Sequence, residues 1–195
     1  MFAKHIYAKK DSFSGTDKER AEDLMRFYQD DSIDAIYDIY GGDLANGVLK
    51  YLDWNVIAGA NKTFWGYSDL TTVINAIYTK TGKSSVLFQI KNLVYANEKL
   101  QRKRFAEFVS EKNKALFDVN YSFLQGERME GIVVGGNIRC LLKLAGTEYW
   151  PNMDGKILFL EAYGGEVSQI AALFTQLEQM GVFKQVEGIY AMDRR

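Results

Sequence analysis

The chain has 195 residues, 24 basic and 25 acidic side chains, and 47% apolar residues. That supplies a packed core for one large domain or two small ones. Cancelled charge without a basic stripe argues against nucleic acid as a partner, and no apolar run approaches the length of a membrane span.

The elements follow in chain order. Thr16-x-x-Glu19 is a capping box opening a helix, and Ala21, Leu24, Met25 and Tyr28 recur along it at helical spacing. Asp34 to Tyr40 is short and β-prone and ends at Gly41-Gly42. Asp43 to Leu52 is expected to be helical. Lys62 to Trp65 reads as a strand stopped at Gly66. Leu70, Val73, Ile74 and Ile77 form the next helical stripe, ended by Gly82, and Ser85 to Ile90 is a third strand. Gln101 to Arg104 reads as the solvated face of a helix.

Strands alternating with helices predict an α/β fold with a doubly wound, mostly parallel sheet. After Lys112 the pattern changes. Phe117, Val119, Tyr121 and Phe123 alternate with polar residues, as in a half-buried strand with one wet face. Gly131 to Val134, stopped by Gly135-Gly136, and Lys156 to Glu161 are further strands. Asn137 to Leu144 and Val167 to Met180 are helices. This places a boundary near residues 110–116, with an N-terminal α/β domain over 1–112 and a smaller mixed β/α domain over 113–195.

Cys140 is the only cysteine, so neither an intrachain disulfide nor a C-x-x-C metal or redox motif can form. A small buried residue is the simplest reading of it. Met1 to Lys10 carries charges and no apolar signal segment, which predicts a cytoplasmic setting. His5 is the only histidine and reads as a surface residue near a frayed terminus.

The segment Phe64-Trp-Gly-Tyr-Ser-Asp-Leu-Thr71 sets a serine between a predicted strand and a predicted helix. A nucleophile needs that context, because a sharp turn lifts the hydroxyl off the sheet and a helix N-terminus offers N–H groups to an oxyanion. Leu70 stands where such elbows usually have a second glycine, and on pattern alone Ser68 is as simply a helix N-cap.

Gly66-Tyr-Ser-Asp-Leu-Thr71 resembles the nucleophile segment of the LD-carboxypeptidases and the related microcin-immunity peptidases. Gly15 to Leu24, Asp34-Ala-Ile, Gly41-Gly42 with Asn46, Gly135-Gly-Asn137, Gly146 to Tyr149 and Lys156 to Glu161 follow in the order of that family. The resemblance runs from about residue 15 to residue 189. It implies a flavodoxin-like first domain and a Ser–Glu–His triad with Ser68 as nucleophile and Glu161 as the acid orienting the histidine. It also implies an oxyanion hole from the Asp69 N–H and the Gly41-Gly42 turn. Asn137 and Arg139, after a glycine turn at a helix start, are candidates to bind a peptide carboxylate. Without the resemblance, Glu161 is an ordinary strand-end acid, and Glu166 is placed simply to compensate a helix dipole.

The implied activity is hydrolysis of the amide before a C-terminal D-amino acid in murein-type peptides, or of peptidyl-nucleotides, with no cofactor and no metal. Two departures bear on this. The family's first strand and its downstream histidine segment are not matched in this chain. Losing the base of such a triad costs roughly 10⁴ to 10⁶ in turnover. An inactive or truncated member that binds peptide without turnover therefore stands beside the peptidase, as does a chain completed by another polypeptide. A sheet edge without its first strand predicts a homodimer that covers it.

Overall fold

The computed structural model describes residues 1–7, 14–95, 97–111 and 114–192. Helix α1 spans Asp17–Gln29, and its capping box forms as expected: Thr16 Oγ1 accepts from the Glu19 N–H at 3.2 Å and Glu19 Oε2 accepts from the Thr16 N–H at 2.8 Å. Its buried stripe is Ala21, Met25 and Tyr28. Strand β1 (Ala35–Tyr37) follows, then a 3-10 helix over Ala45–Tyr51 where a longer helix was expected, and helix α2 (Trp54–Gly59). Strand β2 (Thr63–Gly66) leads through a 3-10 turn at Ser68–Leu70 into helix α3 (Thr71–Thr81), which Gly82 ends in the left-handed conformation. Strand β3 keeps only Val86–Leu87 and runs on to a 3-10 turn at Ile90–Val94 and helix α4 (Glu98–Glu111). The first sheet has the order β1-β2-β3, parallel throughout.

Strand β4 covers Val133–Asn137, helix α5 Ile138–Leu141, strand β5 Ile157–Glu161, helix α6 Val167–Gln179 and strand β6 Gly188–Met192. The order β4-β5-β6 is again parallel throughout, so the second unit combines a parallel sheet with helices. The half-buried strand expected over residues 117–123 does not form: Phe117 closes a 3-10 turn, and residues 118–123 carry no strand pairing. Phe117, Val119, Tyr121 and Phe123 are all exposed, so alternation here marks no buried face. Strand β4 also does not stop at Val134. It runs through Gly135 and Gly136, which pair with Phe159 and Leu160, and only glycine fits there: a β-carbon on Gly135 would strike the Phe159 carbonyl, and one on Gly136 would stand 2.5 Å from Thr71 Oγ1.

Each sheet has its own core. Ile36, Phe64, Val73 and Ile77 pack with α1 residues in the first, and Val134, Leu141, Leu158 and Leu177 in the second. Each fully buried aliphatic side chain contributes about 1.5–3 kcal/mol. Trp150 touches both cores, and α3 lies against β4, so the start of the nucleophile helix meets the second sheet directly. The fold is thus α/β with two parallel sheets flanked by helices. Among the described residues no helix is long and apolar enough to cross a membrane.

Candidate active site

Ser68 follows the C-terminal end of β2 and is held at φ +54°. A side-chain-bearing residue in that region stores about 1–3 kcal/mol of strain, which the surroundings must impose. Tyr67 is extended before it, and the Leu70 N–H closes the turn on the Tyr67 carbonyl at 3.0 Å. Gly66 makes the turn possible, since a β-carbon there would lie 2.6 Å from Leu70 Cβ. Ser68 is half-buried and does not cap the helix with its side chain, so its hydroxyl is spared from the simplest alternative role.

The Gly41-Gly42 turn packs against this serine. The position of a β-carbon on Gly41 is 3.4 Å from Ser68 Oγ, and the Gly41 N–H donates to Tyr67 Oη at 3.3 Å. Asp69 fixes the turn from below. Its carboxylate is buried; Oδ2 accepts from the Ala45 N–H at 2.7 Å and Oδ1 from Lys143 Nζ at 2.5 Å. Lys143 also donates to the Asp43 carbonyl at 2.8 Å. One lysine from the second half of the chain thereby ties the glycine turn to the residue after the nucleophile.

Asn137, at the end of β4, faces Glu161, at the end of β5, in the sheet register, and its Nδ2 donates to Glu161 Oε1 at 3.2 Å. The Asn137 N–H donates to Thr71 Oγ1 at 3.0 Å, and its Oδ1 caps α5 by accepting from the Cys140 N–H at 3.2 Å. Bonds therefore run from the nucleophile helix through Asn137 to Glu161. Arg139 instead forms an ion pair with Asp43 on the surface. Glu166 caps α6 in a capping box with Gln169. The Cys140 thiol is fully buried, and burial pushes its pKa up to about 11, the behaviour of a core residue.

His5 departs from the expectation of a frayed surface residue. Its side chain is 18% exposed, its N–H donates to Asp23 Oδ2 at 2.9 Å, and its Nδ1 lies 3.0 Å from the same oxygen. The imidazole is thus held against α1.

A cavity of about 720 Å³ runs between α1 and β1. Arg20, Leu24, Ile36, Asp38, Gly41 and Asp69 are among its walls, and Ser68 and Glu161 are not. Burial, with Asp69 nearby, pushes the Asp38 carboxyl up to about 6, against the Tyr40 N–H it accepts at 2.9 Å and the Arg20 charge. Lys143 and Asp38 belong to this neighbourhood and sit in no motif of the sequence. Their only sequence signal is a polar residue among apolar neighbours, which names no partner.

The LD-carboxypeptidase N-terminal domain matches residues 1–87 and the LD-carboxypeptidase C-terminal domain matches residues 130–192. The chain is 29% identical over 208 aligned residues to the microcin C7 self-immunity protein MccF of Escherichia coli, covering 90% of this chain and 60% of that protein. It is 27% identical over 174 residues to the murein tetrapeptide carboxypeptidase of Pseudomonas aeruginosa, covering 83% of this chain and 56% of that one. An MccF-like protein from Bacillus anthracis superposes with a TM-score of 0.78 at 30% identity, over 97% of this chain and 66% of its own. The chain thus spans roughly six-tenths of the length of these relatives. Two domain descriptions of one family, matched in order on the two sheets, show that the chain belongs to the LD-carboxypeptidase family.

Proposed function

We propose that Ser68 is the nucleophile of a serine carboxypeptidase that releases a C-terminal D-amino acid from small murein-type peptides. The observation that carries this reading is Ser68 itself: a half-buried serine at φ +54°, at the end of a parallel strand and the start of a helix, with a glycine turn at its side. In the proposed reaction Ser68 Oγ attacks the scissile carbonyl carbon. The developing oxyanion is received by the Asp69 N–H and an N–H of the Gly41-Gly42 turn, where backbone donors stabilise charge without reorganising. Collapse of the adduct expels the amine of the terminal residue, and water then hydrolyses the acyl-enzyme. Glu161, oriented by Asn137, is the acid assigned to hold the base, and Asn137 also faces the bound peptide.

His5 is the only histidine in the sequence and is engaged by Asp23. A serine hydroxyl without a base is a weak nucleophile. A second reading follows: a chain that binds peptide at the same cleft without turnover, or that receives its base from another polypeptide. A peptidyl-nucleotide substrate, of the kind suggested by similarity to a microcin-immunity protein, would use the same residues. A flavodoxin-like first domain over 1–112, and a homodimer covering the β1 edge that is unpaired among the described residues, are part of the proposal.

Intact-mass measurement after fluorophosphonate treatment, beside a Ser68→Ala control, tests it. One adduct that disappears in the control establishes an activated Ser68. No adduct sinks the peptidase reading for this chain and leaves the binding one. Light scattering that reports a monomer removes the homodimer.

A further inference from the structure

Three successive parallel strands deliver their C-terminal ends to one side of the first sheet, the side on which α/β proteins bind ligands. After β1 comes Tyr40 and the glycine turn, after β2 Ser68, and after β3 the 3-10 turn carrying Lys91. The sheet order is β1-β2-β3, so β2 lies in the middle. Lys91 Nζ nonetheless sits 4.5 Å from the centre of the Tyr40 ring and 5.4 Å from that of Tyr95. A contact between residues that follow β1 and β3 bridges the C-terminal end of the sheet, the end at which Ser68 follows β2. Gly41, next to Tyr40, already packs against Ser68 Oγ.

The charge state of the neighbourhood singles out this lysine. Lys143 is bound by Asp69, and Arg139 by Asp43. Among the described residues Lys91 has no carboxylate within ion-pair distance and no hydrogen bond; its ammonium meets only the two ring faces. Two aromatic faces orient an ammonium, each worth about 0.5–1 kcal/mol at an exposed site, and leave its three N–H donors for something else. Tyr40 and Tyr95 are 73% and 55% exposed, so the group is open to a ligand. In a carboxypeptidase the terminal carboxylate is one residue beyond the scissile amide, about one Cα–Cα step of 3.8 Å. Its cation must therefore stand on the nucleophile's side of the sheet, and Lys91 follows β3 at that end.

We propose that Lys91, held between Tyr40 and Tyr95, binds the terminal carboxylate of the peptide presented to Ser68 and so selects for a free C-terminus. This deepens the reading of Ser68 given above and rests on it. The two can be tested apart by measuring binding rather than turnover.

The experiment is calorimetric titration of the full chain, with Ser68→Ala to prevent turnover. The ligands are a murein-type tetrapeptide ending in D-alanine as the free acid and the same peptide as its C-terminal amide. The expected result is at least a tenfold preference for the acid, reduced to within twofold by Lys91→Met and largely kept by Lys91→Arg, with thermal unfolding unchanged in both. A preference that survives Lys91→Met overturns the assignment, and so does a parent protein that binds neither peptide. Fluorophosphonate labelling of the wild-type chain is scored separately. Labelling without a Lys91-dependent preference sinks only the carboxylate subsite. A Lys91-dependent preference without labelling keeps the subsite in a chain that binds without turnover.

Discussion

Asn75 grips the peptide of Gly135 on both sides: its Nδ2 donates to the Gly135 carbonyl at 2.9 Å, and its Oδ1 accepts from the Gly135 N–H at 2.9 Å. Asn75 lies on α3, behind Ser68, and Gly135 on β4, so a single buried amide joins the nucleophile helix to the sheet that carries Glu161. Asn75→Ala leaves a buried donor and a buried acceptor unmatched and is expected to destabilise the protein by about 2–5 kcal/mol, measured by urea unfolding. Asn75→Asp is expected to fail as well, because a carboxylate cannot donate to the Gly135 carbonyl.

The Asp69–Lys143 pair is another tie between the halves. Lys143→Met leaves a carboxylate that is 2% exposed without its cation, with an expected loss of about 3 kcal/mol. In the Asp69→Asn/Lys143→Met double variant the buried charge is gone, and the loss is expected to be smaller than for Lys143→Met alone. A double-mutant cycle by thermal unfolding measures the difference; equal losses would mean the carboxylate is not dependent on the lysine.

The glycine turn offers a paired test on neighbouring residues. A β-carbon on Gly41 meets Ser68 Cβ at 3.1 Å, whereas one on Gly42 meets nothing within 4 Å. Gly41→Ala is expected to cost about 1 kcal/mol through crowding. Gly42→Ala should stay within about 0.5 kcal/mol of the wild type. Denaturant midpoints compare the two.

Asp38 makes stability depend on pH. Its pKa is raised from 3.8 to about 6 on folding, so between those values the folded chain holds the proton more tightly than the unfolded one. The stability it lends is present below pH 4 and is lost as the pH rises through about 6. Asn keeps an acceptor for the Tyr40 N–H and carries no charge. Asp38→Asn is therefore expected to be more stable than the wild type at pH 7.5, by on the order of 1–2 kcal/mol, with the advantage gone by pH 4. Thermal unfolding across that range checks the sign.

Local chemistry was legible in the sequence. The Thr16–Glu19 box, the Gly82 stop and the placement of Ser68 between a strand and a helix all depend on residues a few positions apart, and all form. Cys140 is in the core, as its apolar surroundings indicate. Where local pattern was the only guide, it also misled. Alternation at residues 117–123 has no partner strand among the described residues, and the glycines at 135 and 136, a stop signal by local pattern, permit a close approach inside β4. Strand β6, five residues pairing only with β5, had no local signal strong enough to name it.

The sequence by itself determined the alternation of strands and helices and the identity of the serine at the elbow, because backbone propensity and turn chemistry act over a few residues. The tertiary structure alone decided what surrounds that serine. Asn75 with Gly135, Asp69 with Lys143, Asn137 with Glu161 and Lys91 with Tyr40 join residues between 24 and 74 positions apart, or on strands that are not neighbours. Such partners are chosen by the order of strands in a sheet and the packing of one sheet's helix on the next. Neither is encoded in any short window of the chain.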